Sequence, residues 1–350
     1  MKYFIIIVLA VCTIIVSCSK ERTARDFPPL ASDVVTELTS AQIAWLEQIA
    51  KQKRDSMNKV DSLIALGAVV DTNSLFHKKN KMIAIVEVND HFFPNVLYYL
   101  DSATRKPIFD LAFPFSANMN IDPATNKAYV SYNPQHQEML QKGIFRQVMQ
   151  GGVPVGLSLL GNHDAAGWGN FTSEADAIDF AQKVAFEVRQ KGFSAVLSDD
   201  EYSGTPAGTP LPNSYVMAMY QIKQLLPDIF LCYYVYGGGS GTYKGKQMGD
   251  VADALFGAFY PQYITPVYNA PNSKMYPSTS ETDGGFGDVA GTVQRAKNDG
   301  YGGFMFYNVW GTSNSPSFYA PYLKALRGKT LYVPPGKLNG QQKDFINTRP

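Results

Sequence analysis

From residue 82 to 311 one pattern recurs: a short, continuous apolar run, then a longer stretch with helical spacing. The runs are 82–89, 109–120, 153–162, 193–201, 228–237, 253–263 and 302–311. They are continuous rather than alternating, as strands buried on both faces must be. Helical periodicity falls between them at 134–150, 173–191, 213–226 and 287–299. A further strand is expected near 264–277, where the pattern is indistinct. Strand and helix alternating over this length predict a (β/α)₈ TIM barrel spanning 81–330, with some helices irregular or missing. A doubly wound open sheet is the alternative, but no glycine-rich phosphate fingerprint follows the first strand.

Ahead of the barrel, residues 19–80 read as a polar tether and a helical spacer. Thr39 or Ser40 can cap a helix in which Ile43, Leu46, Ile49 and Ala50 recur at helical spacing, continued by Met57, Val60 and Leu63. Gly67 offers a stop. Residues 331–350 are expected to be a C-terminal tail. The first residues, MKYFIIIVLAVCTIIVSCSKE, carry Lys2, an apolar stretch and then Ser17-Cys18. The stretch is short for a span and reads as a signal peptide, residues 1–18. Ile15, Val16, Ser17 and Cys18 resemble a bacterial lipoprotein lipobox. That resemblance implies lipidation of Cys18 and a partner in the membrane itself, at the outer membrane or surface of a bacterial cell envelope. The alternative is an ordinary signal peptide with an incidental cysteine.

Lys and Arg total 31 against 30 Asp and Glu, which gives no electrostatic reason for a nucleic-acid partner. Charged residues are only 17% while aromatics reach 13%, a balance that suits either a neutral ring-shaped ligand or a well-packed core. The histidines 77, 91, 136 and 163 are scattered and no C-x-x-C or H-x-x-x-H occurs, so neither metal nor cofactor is expected. The working residues of such a barrel lie at the C-terminal ends of its strands. Those ends carry Glu87 and Asn89, Asn118 and Asn120, Asn162 and His163, Asp199 to Tyr202, Tyr234 and Tyr236, Tyr260 to Tyr263, and Tyr307, Asn308 and Trp310. Amides and aromatics with few cations can bond hydroxyls and stack on pyranose faces, which suits a sugar and not a phosphate.

The fourth run ends in FSAVLSDDE, 193–201. If the strand continues to its end, alternation puts Leu197, Asp199 and Glu201 on one face and Asp200 on the other. Two inward carboxyls two residues apart are about 6–7 Å apart along a strand. They can divide acid and base work on one substrate when their surroundings separate their pKa values.

LLGNHDAAGWGNF (159–171) followed by DDEYSG (199–204) resembles the endo-β-N-acetylglucosaminidase H group of family 18 glycoside hydrolases. AIVEVND (84–90), FSANMNIDPATNKAYVSYN (115–133) and DGYGGFMFYN (299–308) extend the likeness over about 82–312. The resemblance implies retaining, substrate-assisted cleavage of the β1,4 bond in the chitobiose core of N-glycans, with N-glycans or glycoproteins as partners. It makes Glu201 the general acid and Asp199 the carboxylate that orients the substrate's N-acetyl group. Tyr263 is taken as the tyrosine of the sixth strand, with Gln262 and Tyr260 beside it. Glu87, Asn118, Asn162, Tyr307, Asn308, Trp310 and Trp168 are expected to contact substrate, Trp168 as an outer stacking platform in the GWGN loop. The family pattern D-x-x-D-x-D-x-E has Ser194 and Leu197 here in place of its first two acids. That departure favours an alternative, a weakly active or non-catalytic glycan-binding protein on the same barrel.

Overall fold

The computed structural model describes residues 35–65, 74–206, 208–236 and 239–340. The expected signal segment with Cys18, almost all of the tether, and Gly67 lie outside them. The first helix, α1 (Ser40–Ala65), is followed by strands β1 (Lys81–Glu87), β2 (Leu100–Asp101), β3 (Leu111–Phe115), β4 (Ala117–Asp122) and β5 (Lys127–Ser131). Then come α2 (Pro134–Gln141), α3 (Ile144–Gln150), β6 (Gly156–Gly161), α4 (Glu174–Lys191), β7 (Ala195–Ser198), α5 (Ser214–Leu225) and β8 (Phe230–Val235). The rest is α6 (Met248–Val251), β9 (Ala254–Gly257), β10 (Met275–Tyr276), β11 (Ser278–Ser280), α7 (Val289–Asn298), β12 (Gly303–Tyr307), α8 (Ser315–Arg327) and β13 (Leu331–Tyr332).

The parallel ladder closes on itself. β1 pairs with β12 on one side and β3 on the other. The bridge Ala112–Val155 and the pairing of β4 with β6 carry the ladder onward. It continues through β6, β7, β8, β9 and β10, and β11 returns it to β12. β3 and β4 are parted only by Ser116, and β10 and β11 only by Pro277, which has no amide hydrogen to give the ladder. Counted as one position each, they complete the eight strands of the predicted TIM barrel.

Alternation sorts the side chains. Ile83, Ile85, Leu111, Phe113, Ala195, Leu197, Cys232, Tyr234 and Met305 fill the barrel interior. Their strand neighbours Met82, Ala84, Val86, Ala112, Val196, Leu231, Phe304 and Phe306 face the helices. The helix layer forms from local signals. α4 opens on Ser173, whose hydroxyl accepts from the Asp176 amide, has Glu174 and Asp176 in its first turn and Arg189 and Lys191 in its last, and closes on Gly192 at φ 73°. α1 packs on α4 and α5, with Leu46 and Ala50 buried, Trp45 edge-on to Phe186 at 6.2 Å and Lys53 on Asp228 at 3.1 Å.

The structure departs from the expected elements at specific points. The helix expected over 134–150 is two, because Gly143 at φ 67° turns the chain between α2 and α3. The second run continues into a β4–β5 hairpin, its turn held by Asp122 accepting from the Ala124 amide and the Thr125 hydroxyl. The sixth strand stops at Gly257, well short of residue 263, and the seventh is Met275–Ser280. The start of the expected tail is held to the barrel: β13 pairs with β2, and the Asn339 amide donates to Asn95 at 2.9 Å.

Candidate active site

The C-terminal ends of the strands gather a polar mouth over an apolar interior. β7 ends at Ser198, and the chain turns directly after it. Asp199 is only 5% exposed, above the fully buried Leu197, and its Oδ1 accepts the Glu201 amide at 3.1 Å. Burial, with the charge of Glu201 next, pushes the Asp199 carboxyl up to about 7. Glu201 itself is exposed at the outer edge. One member of the pair is therefore sunk in the mouth and the other stands at its lip.

Asp200 faces the other way although β7 ends before it, and Glu201 is exposed rather than inward as a strand continued to residue 201 would have put it. It accepts from the amides of Trp168 at 2.8 Å and Gly169 at 3.2 Å, and from the Ser203 hydroxyl at 2.5 Å. It anchors the loop after β6 and takes no place in the mouth.

Around Asp199 stands a wall of tyrosines. Tyr234, inside the barrel, hydrogen-bonds Tyr260 through their hydroxyls. The Tyr260 ring stacks on Tyr307 at 5.0 Å with 5° between planes. Tyr307 donates to Glu87 at 3.3 Å, and Asn89 donates to the other Glu87 oxygen at 2.8 Å. Burial holds the Tyr234, Tyr260 and Tyr307 phenols protonated, and the charge of Asp199 adds to this at each. Burial likewise raises the Glu87 carboxyl.

Other expected site residues distribute unevenly. Asn118 is half-buried on β4, and Asn162 is exposed, donating to Asn120 at 3.2 Å. Asn308, at φ 55°, donates to Thr282 at 2.8 Å while its Oδ1 is buried without a partner. Trp310 is half-buried 5.0 Å from the His91 ring, with Nε1 unpaired and its amide donating to Glu281 at 2.9 Å. The Gln262 side chain folds back to accept the Phe259 amide at 3.2 Å, over Gly257, where a Cβ would lie 2.5 Å from its Oε1.

Two further expectations are corrected. Tyr263 points away from the mouth: its hydroxyl donates to Asp299 at 2.5 Å, its ring stacks on Tyr301 at 5.2 Å, and Arg295 covers it at 4.1 Å. Because β9 ends early, Tyr260 takes the rim position. Trp168 is no platform. It is fully buried, stacked on Tyr215 at 5.5 Å and edge-on to Phe180, with Nε1–H donating to the Leu159 carbonyl at 3.2 Å. A residue not foreseen is Glu281, just after β11, which accepts from Tyr319, Ser315 and the Trp310 amide and so fixes the chain behind Trp310. The indistinct seventh strand hid it.

No protein-family model matches the chain. Endo-β-N-acetylglucosaminidase F1 of Elizabethkingia meningoseptica is 32% identical over 267 residues, 72% of this chain and 78% of that protein. An endo-β-N-acetylglucosaminidase of Flavobacterium sp. (strain SK1022) is 32% identical over 257 residues, 71% and 80% of the two chains. Among solved structures, Bacteroides thetaiotamicron EndoBT-3987 with Man5GlcNAc product has a TM-score of 0.66 and 27% identity. That match covers 73% of this chain and 63% of the EndoBT-3987 chain, so this chain spans under two thirds of that length. The same protein with Man9GlcNAc2Asn substrate gives a TM-score of 0.64 and 26% identity over 73% and 68% of the two chains.

Proposed function

The chain belongs to the endo-β-N-acetylglucosaminidases of glycoside hydrolase family 18, and we propose that it cleaves the β1,4 bond between the two core N-acetylglucosamines of N-glycans with retention of configuration. The observation that carries this is the division of the acid pair, Asp199 buried under tyrosines and Glu201 exposed above it. In this reading the Glu201 carboxylic acid gives its proton to the glycosidic oxygen as the bond to C1 breaks. The substrate's own acetamido oxygen closes on C1, so no protein nucleophile is needed. The positive charge that develops on that ring falls beside Asp199. Above about pH 7 the Asp199 carboxyl is already ionised, and in that form it accepts from the acetamido N–H and balances the cation without a proton having to leave. Water then attacks C1 and Glu201 takes its proton. In this reading Tyr260, bonded to Tyr234 and stacked on Tyr307, supplies the phenol that bonds the reacting acetamido group.

Ser194 and Leu197 favour the second reading, a weak or inactive glycan binder. Ser194 precedes β7 at the opposite end of the barrel, five residues or about 16 Å of strand from Asp199. Leu197 is fully buried beneath Asp199, where it desolvates the carboxyl but touches no solvent. Neither removes a group that acts on substrate. Early-time proton NMR on a high-mannose glycopeptide tests the proposal. The β-anomer of the released glycan is expected first, with Glu201→Gln inert. First appearance of the α-anomer, or a wild type as inert as the variant, overturns it.

The apolar segment ending at Cys18 supports a further proposal, that the mature chain is lipid-anchored in a bacterial cell envelope. Cys18→Ser is expected to move the protein from the membrane fraction to the soluble fraction. Unchanged partitioning overturns the anchor.

A further inference from the structure

The mouth has two differently built sides. Around Asp199 the aromatic rings are buried or half-buried, with the Tyr234 and Tyr260 hydroxyls bonded to each other and the Tyr307 hydroxyl donating to Glu87. Beside Glu201 they are bare. Tyr202 is 44% exposed, Tyr236 47% and Phe259 61%, and among the described residues the other exposed large hydrophobics are Val60 and Ile64, on α1. The Tyr236 and Phe259 rings lie 6.0 Å apart at 36°, forming one surface from the loops after β8 and β9. Tyr202 is flanked by His163 at 5.0 Å, and its phenol is held protonated first by the charge of Glu201 and also by Tyr236. Tyr202, next to Glu201 in the chain and electrostatically linked to Tyr236, adds a third bare ring to the Tyr236–Phe259 surface on this side.

We propose that Tyr202, Tyr236 and Phe259 form the leaving-side subsite, a platform for the N-acetylglucosamine that stays on the protein. The inference rests on the roles assigned above to Asp199 and Glu201. The sugar that undergoes attack must place its acetamido group at Asp199, deep in the mouth. The proton from Glu201 goes to the oxygen of the departing sugar, so that sugar lies outward of Glu201, where the bare rings are. Aromatic faces accept the apolar C–H face of a pyranose and need no hydrogen bond to do so. The departing sugar is joined to a polypeptide, which a closed pocket would exclude and an open surface admits. Exposure that would be a liability elsewhere on the surface then has a reason.

The test compares two substrates in wild type and in the double variant Tyr236→Ala/Phe259→Ala. One is a high-mannose glycopeptide. The other is the oxazoline of the same glycan, whose hydrolysis involves no departing sugar. For the glycopeptide, kcat/KM is expected to fall about tenfold or more, the equivalent of losing about 1.4 kcal/mol of stacking. Oxazoline hydrolysis is expected to stay within about twofold, since no contact on the reacting side is touched. Tyr236→Phe with Phe259→Tyr keeps both rings and is expected to keep the glycopeptide rate. Equal losses on both substrates, or no loss on either, overturn the platform. A wild type inert on both substrates overturns the catalytic reading itself, and the platform with it.

Discussion

Replacing Asp199 by Asn is expected to stabilise the protein while disabling it. The carboxyl has an ordinary value of 3.8 and is pushed up to about 7 by burial and then by Glu201. Below about pH 4 it is protonated in both folded and unfolded chains, and its burial carries no charge penalty. Between there and neutrality the folded chain holds a proton that the unfolded chain has released, so stability falls as pH rises. Above pH 7 the full cost is in place. A rise of roughly three units at 1.36 kcal/mol each sets a ceiling of about 4 kcal/mol. Asn is neutral throughout and avoids that cost. Urea unfolding of wild type and Asp199→Asn from pH 4.5 to 8.5 reads it directly. The gap should open in the variant's favour by up to about 1.4 kcal/mol per pH unit, then level off above neutrality. Glycan release by the variant should drop by roughly 10²–10³, the scale of losing one charge-stabilising group in a transition state. A gap that is constant with pH, or that favours wild type at high pH, would refute the reasoning. Stability given up at a working residue is the usual trade at active sites.

The two tyrosines separate cleanly. Tyr260→Phe should lower kcat by roughly 10²-fold through loss of one transition-state hydrogen bond. Tyr263→Phe should leave kcat within about twofold and cost roughly 1.5–3 kcal/mol of stability, because its hydroxyl serves Asp299 instead. Steady-state kinetics and thermal unfolding on both variants check this; equal kcat losses would contradict the placement. Trp168→Ala should cost about 3–5 kcal/mol as a large buried side chain, with KM for glycopeptide unchanged in the folded protein. A raised KM without lost stability would return Trp168 to the binding surface.

The parts legible in the sequence were those written in local pattern. Continuous apolar runs located the strands, and alternation after Leu197 separated Asp199 from Asp200, as the hydrogen bonds of Asp200 bear out, although β7 stops before both and Glu201 is exposed. What failed depended on distant partners. The glycines around Trp168 read as an exposed loop, but Asp200 takes the Trp168 amide across 32 residues, and the indole is buried against Tyr215 and Phe180. The rim tyrosine was misplaced because FYPQY offers two candidates and only the early end of β9 at Gly257 decides between them. Pro277 splits the seventh strand, which blurred its pattern and concealed Glu281 just beyond it.

The central claim, that this barrel cuts the chitobiose core although Ser194 and Leu197 replace two family acids, is tested most directly by intact-mass analysis of a high-mannose glycoprotein after incubation. The account predicts that the protein retains one N-acetylglucosamine per site and the released glycan carries the other, with Glu201→Gln leaving the mass unchanged. An unchanged mass with wild type, or loss of both core sugars together, would contradict it.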